Sequence, residues 1–119
     1  MRMLILAAVL GTTVLAQQSD EKVYKVGDPG VTTPVLTHEV KPNYTGDAMR
    51  RKVSGRVVLA AVVKTDGTVR DDVRVIEPLD PDLDAEAVKV VKLWTFKPGT
   101  KDDKPVNVSV RIELIFTYR

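Results

Sequence analysis

The sequence predicts an α+β fold in two layers: an antiparallel sheet of three to four strands with two helices on one face. Three stretches carry that expectation. "GRVVLAAVVKTDGTVRDDVRVIEP" holds two β-branched runs separated by Asp66-Gly67, a dipeptide that tolerates the positive φ angles of a tight turn, so it predicts an antiparallel hairpin. "LDPDLDAEAVKVVKLW" places Ala87, Val90, Val91 and Trp94 at helical spacing, with Glu86, Lys89 and Lys92 on the other side. "DKPVNVSVRIELIFTYR" alternates with period two, setting Val106, Val108, Val110, Ile112, Leu114 and Phe116 on one face of a long terminal strand. A helix that joins a hairpin to a later strand can cross one face of the sheet and cover its apolar side.

The elements follow in chain order. Residues 1–16, "MRMLILAAVLGTTVLA", begin with a positive charge at Arg2, continue in an apolar run and end in small residues before Gln17, the pattern of a secretory signal peptide cleaved after Ala16. Met3 to Ala16 is 14 residues, short of the roughly 20 needed to span a bilayer. No cysteine follows the cleavage point, so no lipid attachment is expected. Residues 17–33 read as a flexible arm or short edge strand, because "VYKVGDPG" is a brief extended piece ended by an Asp-Pro-Gly turn signal. The domain proper is expected over 34–119.

Within it, Pro34 and Pro42 forbid a regular helix and favour an extended crossing. A short helix is expected over "TGDAMRRKVSG", with Thr45 as N-cap, Asp47 in the first turn and Arg50, Arg51 and Lys52 near the negative end of the macrodipole. In the hairpin, Val57 to Val63 is apolar on both faces and belongs at the centre of the sheet. The second arm alternates Val73 and Val75 with Asp72 and Arg74, so one of its faces is wet. For the second helix the expected cap is Asp84, clasped by Leu83 and Val88. Its three valines lower helix propensity, so packing must support it.

Composition excludes several functions. Eighteen basic and 16 acidic residues are interspersed in 119 residues, so no basic stripe exists to track a phosphate backbone. Asp80, Asp82 and Asp84 imitate the start of a calcium loop, but Ala85 and Val91 stand where such a loop needs glycine and a bidentate glutamate. Capping is the expected role of these aspartates. His38 is the single histidine, so neither a catalytic triad nor a multi-histidine metal site can be assembled around a second one. Asp102 and Asp103 lie between lysines in a turn, solvated rather than tuned by burial. No enzyme activity and no cofactor are expected. Trp94 and Phe96 are read as core, since burying one such ring stabilises by roughly 2 to 3 kcal/mol.

The segments "KPNYTGDAMRRKVSGRVVL", "TDGTVRDDVRV", "LDAEAVKVVKLWTFKPG" and "KPVNVSVRIELIF" resemble, in order and spacing, the C-terminal domain of the TonB energy-transducer family, over about Pro34 to Phe116. The resemblance implies a periplasmic domain with two helices on one face of an antiparallel sheet. Its last strand would accept an extended peptide, the TonB box of an outer-membrane transporter, by β-augmentation: open backbone donors and acceptors supply affinity and neighbouring side chains supply choice. Carried over by position, the accepting edge would be Pro105, Val106, Asn107, Val108, Ser109, Val110, Arg111 and Glu113. Lys41, Pro42, Asn43 and Tyr44 would flank the incoming strand. Arg111 and Glu113 are expected to point away from the core, where they discourage promiscuous edge pairing or simply keep the face soluble.

Thr45 stands where the family usually has a second proline. A retained anchor and a long proline-rich spacer, which energy transmission across the periplasm requires, are not expected here. The expected partner is therefore an outer-membrane TonB-dependent transporter or another periplasmic segment. The alternative expectation is a scaffold that holds cell-wall polymer or forms a homodimer by strand exchange through its own edge.

Overall fold

Branched aliphatic residues crowd the stretch Gly55–Val63, and in the computed structural model, which describes residues 22–118, this stretch is the centre of the molecule. The elements run β1 (Val23–Lys25), β2 (Val35–His38), α1 (Gly46–Arg50), β3 (Gly55–Val63), β4 (Arg74–Glu77), α2 (Pro81–Val91), β5 (Thr95–Lys97), β6 (Thr100–Lys101), β7 (Lys104–Pro105) and β8 (Asn107–Phe116). The main sheet has the order β1-β8-β3-β4, while β2 pairs with β5 and β6 with β7 in two small ribbons. The α+β, two-layer class expected from the sequence is the one formed. The sheet is mixed, however, because β1 runs parallel to β8. The expected signal peptide lies outside the described residues.

β3 pairs with β8 from Gly55↔Phe116 to Val63↔Val108 without a break in register. Val57, Leu59 and Ala61 face the helices and join Ile112, Leu114 and Phe116 in one cluster with Ala48 of α1 and Leu83, Ala87, Val90 and Val91 of α2. Both helices thus cover the same face. Each large aliphatic side chain buried there contributes roughly 1.5–3 kcal/mol.

The hairpin forms at the expected dipeptide. Gly67 adopts φ +86°, and a Cβ at this position would meet the Phe96 carbonyl oxygen at 2.1 Å. The Asp66 carboxylate holds the turn by accepting from the Thr68 amide and hydroxyl at 3.0 and 2.6 Å. The second arm does not return in register: Val63 bridges Val69, but further along Leu59 pairs with Val75 and Val58 with Glu77. The extra residues form a bulge around Asp71 to Val73, with Val73 still packed against the core, which shortens β4.

α1 has the expected cap, the Thr45 side chain accepting from the Ala48 amide. For α2 the expected Asp84 cap is replaced by Asp80, whose carboxylate accepts from the amides of Asp82 and Leu83 at 3.0 and 3.4 Å. Pro81 explains the shift, because its fixed φ is suited to the first helical position and starts the helix one turn earlier. Asp84 then reaches back to the amides of Leu79 and Asp80, and Leu83 is fully buried inside the helix. Asp80 also accepts from Arg51 Nη1 at 2.7 Å, tying the end of α1 to the start of α2. The Arg51 hydrogen bond holds the Asp80 carboxyl below the usual aspartate range. α2 ends at Val91, earlier than the apolar spacing suggests: Leu93 and Trp94 amides close a tightened last turn onto Val90 and Val91. Phe96 then enters β5 opposite Leu36.

Gly67→Ala is expected to destabilise the fold by about 2 kcal/mol, through the disfavoured φ and the collision with Phe96, as measured by urea denaturation. The depressed Asp80 carboxyl contributes stability that is present above the ordinary aspartate pKa and is lost as pH falls through the lowered folded value. Asp80→Asn should therefore lower Tm at neutral pH by about 5 °C and shrink the fall in Tm on acidification, both read by thermal melts from pH 7 to pH 2.

Candidate strand-docking groove

One side of β8 is committed to β3 along its length, and the other is only partly used. β1 covers it at Val23↔Asn107, Tyr24↔Val108 and Lys25↔Ser109. From Val110 to Phe116 that side has no strand partner among the described residues. Two hollows follow this open stretch. The first, of about 350 Å³, is walled by Val26, Pro34, Trp94 and Phe96 beside Val110 to Ile112. The second, of about 390 Å³, lies between Glu39 to Tyr44 and Glu113 to Thr117.

The facing wall is held by the aromatic residues. Trp94 is buried in the core, and its Nε1 donates to the Val40 carbonyl at 2.8 Å. Tyr44 packs edge-on against Phe116, ring centroids 5.8 Å apart, and its hydroxyl donates to the Val53 carbonyl. Thr37 Oγ1 donates to the Thr95 carbonyl at 3.1 Å, fixing β2 on β5. Pro34 and Pro42 have no N–H, so at those points the wall offers packing rather than competing backbone donors.

Side chains on β8 alternate between the groove floor and the open face of the sheet. Val110, Ile112, Leu114 and Phe116 pack toward the helices. On the opposite face Arg111 and Glu113 join Arg56 and Glu77 in a closed ring of ion pairs, at 3.3 Å for Arg56–Glu77, 3.5 Å for Arg56–Glu113, 3.0 Å for Arg111–Glu77 and 3.9 Å for Arg111–Glu113. Val58 lies opposite both Glu77 and Glu113 and is fully buried on a face that no helix covers. The aliphatic stems of the ring shield it. Each pair contributes little by itself at such exposure.

The site expected from the sequence falls into an open part and an occupied part. Lys41, Pro42 and Tyr44 line the second hollow, and Asn43 lies exposed between them. Val110, Arg111 and Glu113 are on the open half of β8. The expected edge from Pro105 to Glu113 must be redrawn, because its first half is occupied. Pro105 belongs to the β6–β7 ribbon, Val106 donates to the Gly99 carbonyl at 2.9 Å, and Asn107, Val108 and Ser109 are paired with β1. Val108 is also fully buried. The open edge is shifted toward the C-terminus and ends near Thr117. Ile112, Leu114 to Thr117, Val26, Pro34 and Glu39 also line the two hollows without being expected there, although the period-two pattern running on to Phe116 pointed to those on β8. The opposite edge, β4, is short, carries Arg74 and Glu77, and is followed by Pro78, features that blunt strand pairing.

The titratable candidates form no reactive cluster. His38 is exposed on β2, and Asp102 and Asp103 sit exposed at the β6–β7 turn. Asp80 and Asp84 serve helix capping. Among the described residues no group of three or more His, Cys, Asp or Glu can hold a metal ion, and no helix is long and apolar enough to cross a membrane.

The fold and groove define a small α+β domain with a partly open sheet edge, the class of domain suited to accepting an added strand. The family model described as Gram-negative bacterial TonB protein C-terminal matches residues 40–118, so the chain belongs to the TonB C-terminal family. Among solved structures, the solution NMR structure of the Pseudomonas aeruginosa TonB C-terminal domain aligns with a TM-score of 0.50 at 18% identity, covering 80% of this chain and 91% of that one. A search of curated proteins finds no match.

Trp94→Phe should keep an aromatic ring but shrink it and leave the Val40 carbonyl unpaired, at a cost of about 2 kcal/mol. The expected signature is increased amide exchange over residues 39–44, with β3 protection unchanged.

Proposed function

We propose that this chain is a periplasmic protein-binding domain that takes an extended, TonB-box-like segment of an outer-membrane transporter as an added strand along Val110 to Phe116. The observation that carries this reading is the partnerless stretch of β8 with a hollow on its flank at each end. Family membership supports the choice of partner, since TonB C-terminal domains interact with outer-membrane TonB-dependent transporters.

The groove's chemistry fits such a ligand. An incoming strand pairs its backbone with β8, and every second side chain points toward the helix layer. Beside Val110 to Ile112 that side chain meets Pro34, Trp94 and Phe96, which favours an apolar residue. Farther along it meets Lys41, Pro42 and Tyr44, where a polar or amphipathic residue is accommodated. Side chains on the other face lie next to Arg111 and Glu113 and extend the ion ring. Binding by this route needs no catalytic group.

Titrating the domain with a synthetic TonB-box peptide should shift backbone NMR signals of Val110 to Thr117 and of Glu39 to Tyr44. Methylating alternate peptide amides should weaken binding by about tenfold or more, because each net hydrogen bond lost costs about 1 kcal/mol. Shifts confined to the bulge around Arg70 to Arg74, or indifference to methylation, would refute strand addition. Concentration-dependent shifts without peptide would instead indicate self-association through the same edge.

A further inference from the structure

On the reading that the open half of β8 takes an extended peptide, we propose that β1 is a removable occupant of the same edge. Asn107 latches it in place, and its release lengthens the docking edge from Val110–Phe116 to Asn107–Phe116.

β1 lies in line with the groove and uses the same side of β8, through three residue pairs. It stops short of Val110 for a local reason. The Lys25 amide donates to the Asp28 carboxylate at 2.8 Å and the Lys25 carbonyl accepts from the Asp28 amide at 3.0 Å, so the chain turns away from the sheet. Gly27 sits in this turn at φ +97°, with open space where a side chain would project. Such a residue is free to change conformation.

Beyond the turn the chain is anchored. Val31 bridges Lys101, the Thr32 amide donates to the Thr100 carbonyl at 2.8 Å, and Lys101 Nζ donates to the Pro29 carbonyl at 3.2 Å. Residues 22–26 can therefore swing while 29–32 stay fixed.

The arm also buries little. Val23 and Tyr24 are half-buried, Lys25 and Val26 are exposed, and none of them belongs to the main core cluster. Among the described residues its side-chain attachments run through Asn107 and Tyr24. Asn107 Nδ2 donates to the Lys22 carbonyl at 3.2 Å, while Asn107 Oδ1 accepts from the Thr65 amide at 3.1 Å, so one side chain joins the arm to the hairpin turn. The Tyr24 ring lies near the ammonium groups of Lys22 and Lys101, 4.8 and 5.6 Å from its centroid. A polypeptide ligand that replaces β1 restores the three lost pairings and continues along the seven open residues beyond them. Val26 leaves the rim of the apolar hollow in the same movement, which widens it for the ligand's side chain. The exchange thus leaves the main core cluster intact, uncovers the core only beside Val108, and returns the backbone bonds it breaks.

The test uses the absence of cysteine from the chain. Lys25 and Ser109 are directly paired on the open face, so the double variant K25C/S109C can lock β1 by oxidation and free it by reduction. With the same TonB-box peptide, the reduced form should show shifts reaching Asn107 to Ser109 and faster amide exchange across β1, whereas in the oxidised form the shifts begin at Val110. In unliganded Asn107→Ala, amide exchange across β1 should quicken while Val58 and Leu59 keep their protection. Shifts that never enter Asn107 to Ser109 in the reduced form, with β1 exchange unchanged by peptide, would overturn the removable arm. Unchanged β1 exchange in Asn107→Ala would overturn the latch. Loss of all peptide binding in both forms would refute strand docking itself, and the proposed exchange with it.

Discussion

The unbroken ladder between β3 and β8 is the constraint on which the rest of the molecule depends. β3 is apolar on both faces, so it must be flanked on both sides and covered on both surfaces. β4 and β8 supply the flanks, and the two helices cover one surface. The second surface is closed by a different means, the ring of Arg56, Glu77, Arg111 and Glu113 over Val58. Once β8 has given one side to β3, its remaining side is open from Val110 onward, beyond the three residues paired with β1.

The groove beside that edge is a by-product of core packing. Trp94 and Phe96 lie between the helix layer and the outer wall, so the same rings that fill the core also line the first hollow. Trp94 is pinned by its hydrogen bond to Val40, and Tyr44 by its contacts with Val53 and Phe116. A wall fixed in this way stays at a set distance from β8, so the proposed docking of a strand would meet a preformed groove at a lower ordering cost.

Much of the architecture was legible because it follows short-range rules. The Asp66-Gly67 turn, the Thr45 cap, the apolar stripe of α2 and the alternation of β8 each depend on neighbours within a few residues. The α2 cap was misread locally, since Pro81 favours an earlier start than the acidic cluster alone suggests. The bulge between Val69 and Arg74 left no clear trace, because sequence alternation does not reveal how many residues loop out between two paired segments.

The sequence by itself determined the binary pattern, the helix and strand types, the central place of Val57 to Val63 and the family to which the chain belongs. Only the tertiary structure decided which part of β8 stays open. Strand pairing partners are chosen by long-range backbone hydrogen bonding, to which side-chain periodicity is blind. "VYK" carries no mark saying that it will lie parallel to Asn107, Val108 and Ser109, more than eighty residues away. The edge was therefore readable as a strand, and its free half became visible only when the chain had folded back upon it.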